Sequence, residues 1–163
     1  MCSAQPVSDR EYQVKAAFLF NFTQFVEWPP AALPQTGAAL VIGILGENPF
    51  GKYLYEMISG EAANGHPLEV HQYKAVNEIK TCHILFINLP QAKMKEALTA
   101  LKGQSILTVS DDNNFIQMGG MIRFVTKQNK IQIQIDLERA KDADLMISSK
   151  LLSVAEIVSP DNN

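Results

Sequence analysis

The sequence is poor in the features that mark several common classes of protein. It has two cysteines, one tryptophan and three histidines in 163 residues, and its apolar runs are short. Ala16–Phe20 and Ala38–Leu45 fall far below the roughly 18 residues of a membrane-spanning helix, so we expect no membrane insertion. The 14 basic residues are scattered and outnumbered by 17 acidic ones. Nucleic-acid binding needs a clustered basic surface, so it is not expected either.

The cysteines leave the redox compartment open. Cys2 and Cys82 permit one disulfide, but Cys2 lies in a polar N-terminal tail while Cys82 opens an apolar strand and is better interpreted as a buried small hydrophobe. Residues 1–5 resemble a signal-peptidase cleavage region without its apolar run. A secreted chain with most of its signal peptide absent and an ordinary cytosolic start explain these five residues equally well.

What the sequence does contain suits a single globular domain. It is 47% hydrophobic and 19% charged, which is enough to build a core without suggesting disorder. We expect a flexible tail over residues 1–10 and one α/β domain over residues 11–158. The apolar spacing predicts a first helix over residues 9–28, ended by Pro29 and Pro30.

Strands and helices then alternate, which is typical of a mainly parallel sheet with helices on both faces in a Rossmann-like, three-layer arrangement. The predicted strands cover residues 39–45, 66–73, 82–89 and 105–110, and the predicted helices residues 50–59, 76–80 and 92–101.

The pattern changes near the C-terminus. Residues 121–126 and 131–137 alternate as strands of an antiparallel hairpin, and a last helix is predicted over residues 150–157. Isoleucines point inward along the second strand, and polar residues point outward. The outward face is either a solvated surface or a docking face for another protein, and sequence alone favours neither. Its candidate partner-binding residues are Arg123, Val125, Gln132, Gln134 and Asp136.

A second candidate site is a small-ligand cleft at the carboxyl ends of the predicted parallel strands, where ligands bind in open α/β sheets. Glycine, asparagine and aspartate are also ordinary turn formers, so a structural interpretation is favoured there. The residues concerned are Gly46, Asn48, Phe50, Ser110 and Asp111.

No arrangement of titratable residues predicts an enzyme. Cys82 and His83 are adjacent on a strand and therefore point to opposite faces, which argues against a nucleophile–base pair. His66 and His71 are separated by an odd number of residues and diverge for the same reason. We expect no catalytic residues, no metal site and no cofactor.

An ordered set of segments resembles the YfiR family, also called YfiR/HmsC-like. The N-terminal part is Lys15–Phe22 continuing through Phe25–Pro29. The further segments are residues 44–46 with 49–51, 82–87, 107–111, 119–124 and 147–152.

The resemblance implies a small periplasmic α/β regulator that is not an enzyme. Such proteins repress YfiN, a membrane-bound diguanylate cyclase, by binding its periplasmic region, and they thereby lower cyclic-di-GMP and restrain biofilm formation. A YfiB-like outer-membrane lipoprotein is implied as a second partner, and a homodimer as the assembly. Many relatives carry a cysteine able to pair with the equivalent of Cys82, but Gly43 or Ile44 stands in its place here.

The leading hypothesis is therefore a periplasmic signalling protein that inhibits a cyclase through its first helix and outward hairpin face. The alternative is a periplasmic sensor of small ligands, of the solute-binding type, that uses the cleft.

Overall fold

A computed structural model describes residues 5–34 and 37–160 of the chain, with side chains from residue 10 onward. The helices are α1 Gln5–Phe25, α2 Tyr53–Ile58, α3 Gln91–Leu101, α4 Leu137–Asp142 and α5 Ser149–Leu152, with a 3₁₀ turn at Val76–Glu78. The strands are β1 Val26–Glu27, β2 Leu40–Gly46, β3 Ala62–Ala63, β4 His66–Tyr73, β5 Ile84–Asn88, β6 Leu107–Ser110, β7 Ile122–Lys127, β8 Lys130–Ile135, β9 Met146–Ile147 and β10 Ala155–Ile157.

Eight of these strands form one mixed, mainly parallel sheet in the order β10-β8-β7-β6-β5-β2-β4-β3. Parallel pairing joins β4, β2, β5, β6 and β7 in succession. β7 and β8 form the predicted antiparallel hairpin, and β10 adds to β8 in parallel. The predicted fold class is confirmed.

Two apolar clusters fix helices on opposite faces of the sheet. On one face, Phe22 of α1 stacks on Phe124 of β7 with ring centroids 6.3 Å apart. On the other face, Met94 and Leu98 of α3 pack with Leu85 and other residues of the central strands. Alternate residues of a strand point to opposite faces, so β5 contributes to both clusters and is buried on both sides.

The first helix differs from its prediction at both ends. It begins at Gln5 and ends at Phe25, where the chain turns into β1 and pairs antiparallel with β9. Residues 5–10 of the predicted tail belong to α1. Residues 1–4, including Cys2, lie outside the described residues, so the flexibility of the tail and the state of Cys2 stay predictions. No helix in the described part of the chain is long and apolar enough to cross a membrane.

The C-terminal segment contains the largest error of the sequence-based prediction. The predicted helix over residues 150–157 ends at Leu152, and Ala155–Ile157 form strand β10 instead. The backbone N–H of Val158 donates to the carbonyl of Ile135 at 2.9 Å, which extends the pairing beyond the strand. Helix α4 was not predicted at all.

Candidate partner-binding surface

One end of the sheet leaves a face of the hairpin accessible. Arg123 lies directly opposite Gln134, and Val125 lies opposite Gln132. Phe124 and Ile133, which alternate with them, are buried on the α1 side, so these four side chains point to the other face. Gln132 is exposed and the other three are half-buried. Their predicted outward orientation is confirmed, whereas their binding role stays a prediction.

Hydrogen bonds order this face into a polar row across three strands. The guanidinium of Arg123 donates through Nη1 to Gln134 Oε1 and through Nη2 to Asn113 Oδ1, both at 2.9 Å. Gln134 in turn donates from Nε2 to Glu156 Oε1 at 3.1 Å. Within the described residues, Arg123 Nε is buried and has no hydrogen-bond partner. These hydrogen bonds hold the side chains of the row in fixed positions.

Two members of the row were missed by sequence reasoning. Glu156 was placed in a helix, because the segment Ala155–Ile157 carries no local strand pattern and pairs with β8 only in the folded protein. Asn113 lies two residues beyond Asp111 of the predicted ligand cleft, and its side chain instead reaches Arg123 on β7. The alternation in β7 and β8 gave the correct face, but no local pattern indicated which strand would add to it.

Asp136 does not belong to this surface, and the prediction that it faces outward is wrong. Its side chain is buried because it caps helix α4, accepting from the backbone N–H of Arg139 at 3.2 Å. Arg139 Nε also lies 3.6 Å from Asp136 Oδ2. The strand alternation ends at Ile135, and helix α4 begins at Leu137.

The first half of the predicted ligand cleft forms a tight turn. Gly46 has a φ of +96°, and a Cβ at this position would lie 2.1 Å from the carbonyl oxygen of Asn88, so only glycine fits. Asn48 accepts from the N–H of Phe50 at 2.8 Å and donates to the carbonyl of Gly51 at 3.0 Å. Asn48 therefore stabilises the turn, and helix α2, which was predicted from residue 50, starts later at Tyr53. Phe50 is buried.

The second half of that cleft is joined to α1. Ser110 is buried and donates to the carbonyl of Ile87 at 2.8 Å. Asp111 Oδ2 accepts from Tyr12 Oη at 2.7 Å and from Lys15 Nζ at 3.0 Å. The Tyr12 ring also meets Phe50 edge-on at 5.7 Å. A side chain of α1 thus lies between the two halves of the predicted cleft, and its ligand role stays a prediction.

Lys15 is the most deeply buried charge of this region. Its side chain is 2% exposed and its ammonium also lies 2.6 Å from Glu11 Oε2, one helical turn away. The ammonium stands 4.4 Å from the centre of the Tyr12 ring. Burial, and then the hydrogen bond to Asp111, raise the pKa of Tyr12, which stays a neutral donor. This cluster holds α1 on the carboxyl edge of the sheet.

Cys82 and His83 do not act on each other. Burial raises the pKa of the Cys82 thiol to about 12, so it is not a thiolate at neutral pH. His83 Nδ1 accepts from the N–H of Val41 at 3.0 Å, and Nε2 donates to the carbonyl of Ala32 at 2.9 Å. Both ring nitrogens are used structurally. The described residues contain no group of three His, Cys, Asp or Glu able to hold a metal ion.

These features define a class: an α/β domain whose buried polar groups serve the fold and whose accessible polar row suits binding. The chain belongs to the YfiR/HmsC-like family, whose model matches residues 12–156. The resemblance predicted from the sequence is confirmed, and membership implies a regulatory role of the YfiN-repressor type. No curated protein matches the chain closely enough to be informative.

Proposed function

We propose that this protein is a periplasmic repressor that binds the periplasmic region of a YfiN-like membrane diguanylate cyclase through the outward hairpin face. Repression lowers cyclic-di-GMP and restrains biofilm formation. The observation that carries the proposal is the accessible face of the hairpin. On this face Arg123 lies opposite Gln134, and Val125 lies opposite Gln132, on two hydrogen-bonded strands. Family membership supports the identity of the partner.

The mechanism is a shift between two states of the cyclase. A repressor acts only to the extent that it binds the inactive state more tightly than the active one. A rigid surface suits this task because little conformational freedom is lost on binding. The Arg123–Gln134–Glu156 row lies on strands paired to the main sheet, which holds it in place.

Three further parts of the proposal have only the family resemblance as support. They are the periplasmic location, a homodimer and a YfiB-like lipoprotein that relieves repression. The alternative function, sensing of a small ligand at the sheet's carboxyl edge, has less support because Phe50 and Ser110 are buried and Tyr12 lies between Phe50 and Asp111.

A matched pair of glutamine substitutions tests the docking face. Gln132→Lys places a bulkier cation in the proposed interface, whereas Gln72→Lys makes the same change on an exposed position of β4, beyond the centre of the sheet. Binding of the cyclase's periplasmic region is measured by titration calorimetry. We expect Gln132→Lys to raise Kd about tenfold, or about 1.4 kcal/mol.

Gln72→Lys should bind like the unaltered protein, because β4 lies outside the proposed interface. Equal affinities for all three proteins would show that the hairpin face is not the docking surface. No binding by any of them would contradict the repressor function itself.

A further inference from the structure

A groove separates the first half of α1 from the hairpin, on the opposite side of the hairpin from the polar row. Its volume is about 600 Å³, within the range of known binding sites. Phe18 of α1 and Ile131 of β8 line it, together with Val14. The fold packs α1 against the sheet at Phe22 but leaves this seam open nearer the N-terminus of the helix.

The apolar lining of the groove is partly open to water. Val14 is 39% exposed, and Phe18 and Ile131 are half-buried. A concave surface with apolar side chains on two facing elements is typical of a site for an apolar segment of another protein. It is unlike a membrane-binding surface, in which apolar side chains project outward from a strongly basic face.

The charges around the groove are unbalanced. Glu11 lines it, but its carboxylate is already paired with Lys15 at 2.6 Å. Arg10 and Lys130 also line it, and neither makes an ion pair with any side chain that the structure describes. The rim is therefore locally positive on a protein whose net charge is −3.

We propose that the groove binds an apolar segment flanked by acidic residues, contributed by a partner protein. Apolar side chains of the segment enter between Val14, Phe18 and Ile131, and its carboxylates meet Arg10 and Lys130. The proposal deepens the proposed function by naming the chemistry of a partner. It uses a different side of the hairpin, so the two can fail separately.

Synthetic peptides test the groove without the cyclase. The probe is a labelled helical peptide of roughly 18 residues with leucines along one face and glutamates beside them, and the matched peptide has lysines in place of the glutamates. Binding to the full chain is followed by fluorescence anisotropy. We expect the glutamate peptide to bind at least about tenfold more tightly than the lysine peptide, with an affinity that falls as salt is raised.

Matched variants locate the binding. Val14→Asp should weaken binding of the glutamate peptide about tenfold, whereas Tyr55→Asp, at an apolar residue of α2 that is 41% exposed, should not. Lys130→Glu should weaken it more than Lys93→Glu on the exposed side of α3. Thermal unfolding of each variant verifies that the fold is retained.

The groove proposal is overturned if the glutamate peptide does not bind, if both peptides bind equally, or if Val14→Asp and Tyr55→Asp behave alike. Val14-dependent recruitment to phosphatidylglycerol vesicles without peptide binding would identify a lipid surface and also overturn it. Because Gln132→Lys leaves the groove intact, it should not alter peptide binding, whatever its effect on the cyclase.

Discussion

His83 makes two hydrogen bonds to the backbone that require one neutral tautomer. Nδ1 must be unprotonated to accept from Val41, while Nε2 carries the proton that is donated to Ala32. Burial lowers the pKa of His83 below 6.5, and the neighbouring His66 lowers it further, against the opposing effect of the bond to Ala32. The unfolded chain therefore binds a proton at a higher pH than the folded one.

The first prediction is a loss of stability in mild acid. The contribution of His83 is complete above pH 6.5 and falls as the pH drops from there towards the lowered folded-state pKa. The free energy of unfolding should decline by at most about 1.4 kcal/mol per pH unit from this residue. Urea unfolding between neutral and mildly acidic pH measures the decline.

His83→Asn supplies the control, since its side-chain oxygen can still accept from Val41 but the group does not titrate. The variant should be less stable near neutral pH and should show a shallower decline in acid. Parallel curves for the two proteins would show that His83 is not the responsible group.

Lys15 illustrates how a buried charge can fasten a helix. Its ammonium is held by Glu11 and Asp111, each of which remains partly exposed. Lys15→Met fills similar space but leaves both carboxylates without a cation, and we expect it to lower the free energy of unfolding by about 2 kcal/mol. In a double-mutant cycle with Asp111→Asn, the free energy of unfolding of the double variant should fall by about 1 kcal/mol less than the losses of the two single variants added together. Additive losses would show that Lys15 and Asp111 are not coupled.

At the scale of elements, Gly43 of β2 has no room for a side chain because Tyr73 of β4 and Cys82, just before β5, pack over it. A Cβ there would lie 2.6 Å from Tyr73 Cε2 and 2.8 Å from Cys82 Sγ. Gly43→Ala should therefore destabilise the protein through overpacking, by about 1–3 kcal/mol. The same geometry places a cysteine at position 43 within bonding reach of the Cys82 sulfur.

Gly43→Cys, made together with Cys2→Ser, should form a disulfide with Cys82 under oxidising conditions. Closing a loop of this length stabilises a fold by up to about 4 kcal/mol, less the cost of shifting Tyr73. Unfolding with and without reductant measures the gain, and thiol titration counts the remaining thiols. Two reactive thiols after oxidation would contradict the predicted geometry.

The periodic elements were predictable from sequence, and the irregular ones were not. Strands β7 and β8 were found from their alternation, and β2 and β5 from their apolar runs. In all four strands the local order of apolar and polar residues matches the burial of the strand. Strand β10 is three residues long, and its pairing with β8 depends on tertiary contacts rather than on local preference. Asp136 was misplaced because alternation cannot indicate where a strand gives way to a helix cap.

At the scale of the whole molecule, the strand order decides where a binding surface can lie. Helices cover both faces of the central strands, while the hairpin and β10 extend the sheet beyond α3. The candidate surface thus follows from topology more than from any residue motif. The sequence pattern predicted the outward orientation of four of its side chains, whose binding role stays a prediction. Glu156 and Asn113 join them only through the long-range packing of β10 and the segment after β6.

The most direct test of the account is the effect of the purified protein on the cyclase itself. The complete membrane cyclase is placed in nanodiscs, which leave its periplasmic region accessible, and synthesis of cyclic-di-GMP from GTP is followed as the protein is added. The account predicts a saturable fall in the rate, with Gln132→Lys needing about ten times more protein than Gln72→Lys for half the effect. A rate that stays constant when the periplasmic region is saturated with bound protein would contradict the account.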